Sequence, residues 1–170
     1  MQHITEDIQA VYEAPSSILP SDLGLVCPAF VRTAARSFAA DPCAVQQART
    51  FASNVLSRWE ITDRLDELLL CISELATNAL CHASATADAH FLLCLTHLSG
   101  HQAVRIEVHD RSERLPVMKH RSRLDEQGRG LFLVEQLSER WGVEPRAGGK
   151  SVWTELQTQP AAKQQGSSQC

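Results

Sequence analysis

Nothing in the 170-residue sequence approaches the unbroken apolar run of about 20 residues that a membrane-spanning helix requires. The opening residues, MQHITEDIQAVYEA, also lack the basic-then-apolar layout of a secretory leader. These two absences lead us to expect a cytoplasmic protein with no membrane partner. Positive charge is not in excess either. Lys and Arg number 16 against 20 Asp and Glu, the formal charge is -4 and the pI is near 6.0. A nucleic-acid binder that relies on a bulk electrostatic field is therefore excluded, and only a local basic patch stays open. The six cysteines, at 27, 43, 71, 81, 94 and 170, contain no CxxC pair, so their spacing signals neither a disulfide framework nor a zinc ribbon. Cys71 and Cys94 fall in apolar stretches, where reduced cysteine behaves as a small hydrophobe. His97 and His101 have the spacing of metal ligands on one helix face. They flank Ser99-Gly100 between two strand-like runs, however, and a solvated hairpin accounts for them better.

What is present is the composition of an ordinary globular domain, 44% hydrophobic and 21% charged. Residues 1–40 carry Pro15, Pro20 and Pro28 without a sustained period, and read as an unassigned N-terminal extension that ends in a short strand near Arg36 to Ala39. Asp41-Pro42 is a helix start, with a helix expected from Pro42 to Arg58 whose buried stripe is Val45, Ala48, Phe51, Ala52, Val55 and Leu56. A second helix is expected from Thr62-Asp63 to His82, with Leu65, Leu68, Leu69, Ile72, Leu75, Ala76 and Ala79 as its apolar stripe.

The run Ala89 to His97 is apolar on both faces, as a covered strand is, while Val104, Ile106 and Val108 alternate with polar residues. Residues 111–129 read as a loop, Gly128-Arg129-Gly130 opens a third helix that should stop near Trp141-Gly142, and a last strand is expected over Ser151 to Leu156. The tail from 158 to 170 is low in hydrophobics and is expected to be disordered. Helices and hairpin strands mixed in this way give an α+β class, a two-layer sandwich.

Glu74, Asn78 and His82 recur at i, i+4 and i+8, and so stack along one edge of the second helix. An amide oxygen is a hard neutral ligand suited to Mg²⁺ beside phosphate oxygens, and a neighbouring carboxylate can orient or deprotonate an attacking group. Taken alone, the pair fits a solvated helix edge better, because Glu and Asn are common on exposed helix faces. Asp110, at the end of a strand, can accept a hydrogen bond from an exocyclic amine such as that of adenine. Gly128-Arg129-Gly130, before a helix, lets backbone N–H groups approach a polyphosphate, although a bare GxG is also an ordinary helix-starting turn.

The order of these segments is more specific than any one of them. SELATNALCHA, VHDRSERLP, GRGLFLVEQLSERWG and GGKSVWTEL follow one another, and this series resembles the GHKL ATPases, the superfamily of gyrase, heat-shock chaperone, mismatch-repair and histidine-kinase ATPase domains. Within it the sequence looks most like the compact anti-sigma-factor serine kinases. The resemblance spans Asp41 to Leu156, which sets residues 41–157 as the ATP-binding domain. It implies a two-layer α/β sandwich of the Bergerat type, with a mixed, mostly antiparallel sheet and helices on one face, and ATP with Mg²⁺ as cofactors.

Residue by residue, the resemblance implies Glu74 as the base that activates the acceptor, Asn78 as the Mg²⁺ ligand and His82 near the phosphates. Asp110 would read the adenine amine. Gly128 and Gly130 would let the lid fold over phosphate, Arg129 would add a charge-assisted contact, and Ser151 would stand where many relatives hold adenine with a threonine.

Ser112 departs from the pattern, since many members have glycine two residues after the aspartate. The loop from Leu115 to Gln127 is short beside histidine-kinase lids, and no phosphoacceptor hairpin precedes the domain, so a free-standing histidine kinase is not expected. The implied function is a serine/threonine kinase that phosphorylates an anti-sigma antagonist and otherwise sequesters a sigma factor, with no direct contact to nucleic acid. The alternative is a nucleotide-binding switch without phosphoryl transfer. A homodimer is one assembly the resemblance allows, and the sequence leaves oligomeric state open.

Overall fold

The computed structural model describes residues 11–15, 30–82, 89–112 and 129–158. The chain runs β1 (Val11–Pro15), β2 (Phe30–Ala39), α1 (Ala44–Arg58), α2 (Leu65–His82), β3 (His90–Leu98), a 3-10 turn (Ser99–His101), β4 (Ala103–Asp110), α3 (Arg129–Leu137), β5 (Arg140–Arg146) and β6 (Gly149–Gln157). The strands form one six-stranded sheet in the order β1-β2-β3-β4-β6-β5. Each of these pairings is antiparallel, so the sheet is less mixed than the resemblance implies.

The two-residue period of a strand sorts the sheet into two faces. Phe91, Leu93 and Leu95 of β3, Val104, Ile106 and Val108 of β4, and Val152 and Leu156 of β6 are buried in one cluster with the helices. From α1 that cluster takes Ala44, Ala48, Ala52, Val55 and Leu56; from α2 it takes Leu68, Cys71, Ile72, Leu75, Ala76 and Ala79. The α+β sandwich with helices on one face is thus in place. The intervening positions Arg105, Glu107 and Trp153 are only partly buried on the other face, where the Arg105 guanidinium lies 4.0 Å above the Trp153 ring and pairs with Glu155 at 2.9 Å.

Several boundaries differ from those read in the sequence. Asp41 Oδ1 accepts the Cys43 N–H at 2.7 Å, but Pro42 and Cys43 form a turn, the N-cap is Cys43 rather than Asp41, and the helix begins at Ala44. β2 is ten residues long rather than a short strand at its end, and pairs with β3 from Val31↔Leu98 to Ala39↔His90. Phe38 of β2 stacks on Phe91 at 5.4 Å. Part of the segment read as an extension therefore builds the sheet.

The third helix stops at Leu137, four residues before the Trp141 that was to end it, and Arg140–Arg146 is a strand. Ser138 explains the stop. Its hydroxyl turns back to the Val134 carbonyl and also meets Thr154 Oγ1 on β6, which competes with further helical bonding. Beyond it Trp141 and Val143 alternate onto the core, and Pro145 is tolerated because β5 is an edge strand.

Arg64, in the left-handed region at φ 54, ties the layers together. It donates to Glu67 at 2.5 Å, to the Leu137 carbonyl at 2.7 Å and to the Gln157 carbonyl at 3.1 Å, joining the start of α2 to the ends of α3 and β6.

His97 is not the solvated hairpin residue the turn signal implies. It shares the core side with Leu95, stacks on Trp59 with 6.2 Å between ring centroids, and its pKa is lowered by burial and by the Arg32 charge. Cys71 and Cys94 have thiols pushed up to about 11 by burial, as expected of small apolar residues. Among the described residues no group of three or more His, Cys, Asp or Glu is placed to hold a metal, and no helix is long and apolar enough to cross a membrane. The lid loop over 113–128 and the tail from 159 lie outside the described residues.

Candidate functional site

α2 packs against both α3 and the central strand β4, and its polar edge is what the site is built on. The apolar positions Leu75, Ala76 and Ala79 are buried below that edge, which fixes the helix's rotation and leaves Glu74 and Asn78 half-buried beside them. His82 closes the helix, also half-buried. The Asn78 amide nitrogen is buried and finds no hydrogen-bond partner. A buried donor without an acceptor costs about 1–3 kcal/mol, and an incoming oxygen ligand would relieve that cost.

Gly130, in the first turn of α3, lies directly against Glu74. A Cβ built at Gly130 would overlap Glu74 Oε2 and stand 3.3 Å from the carboxyl carbon. The first turn of a helix carries backbone N–H groups with no intrahelical acceptor, so this contact sets free donors beside a carboxylate. Gly128 and the Arg129 side chain lie outside the described residues, and Arg129 is placed by its backbone alone as the first residue of α3.

Asp110 ends β4 and is 7% exposed. Its Oδ1 accepts the Ser112 backbone N–H at 2.8 Å and the Lys150 ammonium at 2.9 Å, while Oδ2 is buried with no partner. The departure at Ser112 is thus absorbed by the backbone, which still turns back onto the carboxylate. Gly149 makes the turn into β6 fit, because a Cβ there would strike the Asp110 carbonyl oxygen and come within 2.8 Å of Arg111 Cα. Its neighbour Gly148 takes φ 74, a conformation that favours glycine.

The register decides which residue of GGKS accompanies Asp110. Asp110 pairs with Lys150, and His109 pairs with Ser151. Ser151 therefore projects from the opposite face of the sheet. Its buried hydroxyl has no partner, and the structure does not bring it to Asp110. Lys150 is the residue that sequence reading missed. A lone Lys after two turn glycines carries no signal until the strand register is known.

A concavity of about 280 Å³ also opens at this end of the sheet, lined by His90, Leu92, His109, Arg146, Gly149 and Lys150 among others. It does not reach Glu74 or Asn78. Its lining comes largely from the side of the sheet away from the helices, and burial lowers the His109 pKa there. Asp110 also lines the concavity.

Residues 38–155 match the family model described as the histidine kinase-like ATPase domain. No curated protein matches the chain. Among solved structures, the crystal structure of the RsbU and RsbW domains of Rv1364c from Mycobacterium tuberculosis is similar, with a TM-score of 0.55 and 19% identity. The match covers 74% of this chain and 32% of that one, so the present chain spans about a third of the length of that solved chain. At that identity the likeness is one of fold. The family model spans well over half of the sequence and includes Glu74, Asn78, Asp110 and Gly130, and on that ground the chain belongs to the histidine kinase-like ATPase domain family, the GHKL superfamily.

Proposed function

We propose that the protein is a cytoplasmic, ATP-binding regulator that acts as an anti-sigma-factor-like serine/threonine kinase, phosphorylating an antagonist and sequestering a transcription partner when unmodified. The observation that carries this reading is the pairing of Glu74 with the α3 N-terminus at Gly130, one helical turn from Asn78.

The polar groups fit Mg²⁺-ATP. The Asn78 amide has an oxygen suited to the metal and a buried nitrogen in want of an acceptor, which a phosphate oxygen supplies. When bound, Mg²⁺ neutralises charge on the phosphates. The chain's own contributions are then distinct. The first turn of α3 presents N–H donors to the phosphates, and His82 stands at the end of the same polar edge. Asp110 offers its open Oδ2 to the 6-amino group of adenine. Glu74 accepts the proton of an acceptor hydroxyl, the general-base role its position beside the phosphate-binding turn favours. The acceptor belongs to a protein such as an anti-sigma antagonist, a partner class to which the RsbW domain of the similar structure gives support.

Calorimetric titration with ATP and ADP, with and without Mg²⁺, tests the binding step. The expected result is heat on titration with adenine nucleotide that depends on Mg²⁺. Absence of heat and of any melting shift at millimolar nucleotide would overturn the reading. Incubation with labelled ATP and a candidate antagonist then distinguishes a kinase, which labels Ser or Thr, from a switch that binds nucleotide without transfer.

A further inference from the structure

Lys150 is 1% exposed, and an ammonium so deeply buried is costly unless its charge is met. Asp110 meets the charge at 2.9 Å, yet the carboxylate uses only Oδ1 for this, shared with the Ser112 N–H, and Oδ2 stays buried without a partner. A lysine ammonium has three N–H donors. Among the described residues Asp110 is the acceptor for one of them. The last rung of the β4–β6 ladder therefore holds an open acceptor and an open donor side by side, on the face of the sheet that carries Val108 and Val152 and is covered by the helices. Replacing a buried ion pair by hydrophobic residues is often neutral or stabilising, so stability alone does not account for the Lys150–Asp110 pair.

We infer that Lys150 is a base-reading residue, acting with Asp110 as a two-point clamp on adenine. This rests on the ATP-binding reading above. The polar edge of adenine offers a donor, the 6-amino group, next to an acceptor, N1. Asp110 Oδ2 accepts from the amine and Lys150 Nζ donates to N1. Guanine reverses both groups, with an oxygen at position 6 and an N–H at position 1, so it would set acceptor against acceptor and donor against donor. A site whose buried polar groups are left unpaired by the wrong ligand rejects it strongly.

The test compares ATP with 1-deaza-ATP, in which N1 is replaced by C–H and the 6-amino group is retained. With Mg²⁺ present, the wild-type protein should bind 1-deaza-ATP about 10-fold or more weakly than ATP, the scale of one hydrogen bond to a charged group. Lys150→Met should weaken ATP by a similar factor and bind the two nucleotides equally. The wild-type comparison needs no variant, so instability of Lys150→Met does not blunt it. Equal binding of ATP and 1-deaza-ATP by the wild type would overturn the clamp and leave Lys150 as a counter-charge, with the ATP reading intact. Binding of neither nucleotide would overturn the ATP reading and the clamp together.

Discussion

The backbone of Gly130 lies so close to the Glu74 carboxylate that a side chain there would displace it. α2 and α3 come from separate segments of the chain, with the β3–β4 hairpin between them, yet they pack together and bring Gly130 to Glu74. The consequence is chemical as well as steric. A carboxylate proposed as a base lies against the turn proposed to receive phosphate, so its position and that of the first turn of α3 are coupled.

Gly130→Ala tests that coupling. Alanine favours a helix over glycine by about 1 kcal/mol, and the atom it strikes is the movable end of Glu74, so stability should change by about 1 kcal/mol or less. The carboxylate must swing away, and phosphoryl transfer should fall by about 10². In a Glu74→Gln background the same substitution should add little, because the group it displaces is already absent. Thermal melts beside transfer assays on the single and double variants measure both effects. Full additivity would show that Gly130 acts elsewhere.

His97 gives the stability a pH dependence whose sign follows from its surroundings. Burial against Trp59, and next the Arg32 charge, hold its pKa below the ordinary value of 6.5. The unfolded chain therefore binds the proton more readily, and stability is lost as pH falls through about 6.5, the unfolded-state value. His97→Phe keeps a ring against Trp59 and removes the titration. Urea unfolding at pH 7.5 and 5.5 should show a smaller loss for the variant than for the wild type; His109, lowered by the same cause, retains its share in both. Equal losses would place the acid sensitivity of the fold elsewhere.

The helices were legible because their information is local. The stripe Leu68, Ile72, Leu75, Ala76 and Ala79 buries as its spacing requires, and it leaves Glu74 and Asn78 on the neighbouring edge. β5 was missed although Trp141 and Val143 alternate correctly, because the run is short, contains Gly142 and Pro145, and follows a helix whose stop depends on Ser138 meeting Thr154 from another strand. His97 was misread for a similar reason, since the turn at Ser99-Gly100 is visible in sequence and Trp59 above it is not. The site shows the same division. Glu74, Asn78 and Asp110 stand out by order and spacing, whereas the choice between Lys150 and Ser151 as the companion of Asp110 depends on a one-residue register between strands separated by some forty residues of chain.

Glu74 and Asn78 share an edge of α2 but should fail in different ways when changed. Asn78→Ala removes the amide that is suited to Mg²⁺ and has a buried nitrogen awaiting an acceptor. Without it the phosphates lose a positioning contact and keep their mutual repulsion, so nucleotide affinity and any transfer should fall together. Glu74→Gln keeps the shape of the side chain and its place beside Gly130 while removing the basic oxygen. ATP binding should stay near wild type, and transfer to an acceptor hydroxyl should drop by about 10² to 10⁴, the range for loss of a general base. Calorimetry and labelled-phosphate transfer on both variants separate the cases. Equal transfer rates in Glu74→Gln and wild type would remove Glu74 from the base role, and unchanged ATP affinity in Asn78→Ala would remove Asn78 from the metal site. If wild type and both variants bind an antagonist or sigma factor under nucleotide control and none transfers phosphate, the polar edge of α2 serves binding alone, and the protein is a switch that uses ATP to choose its partner.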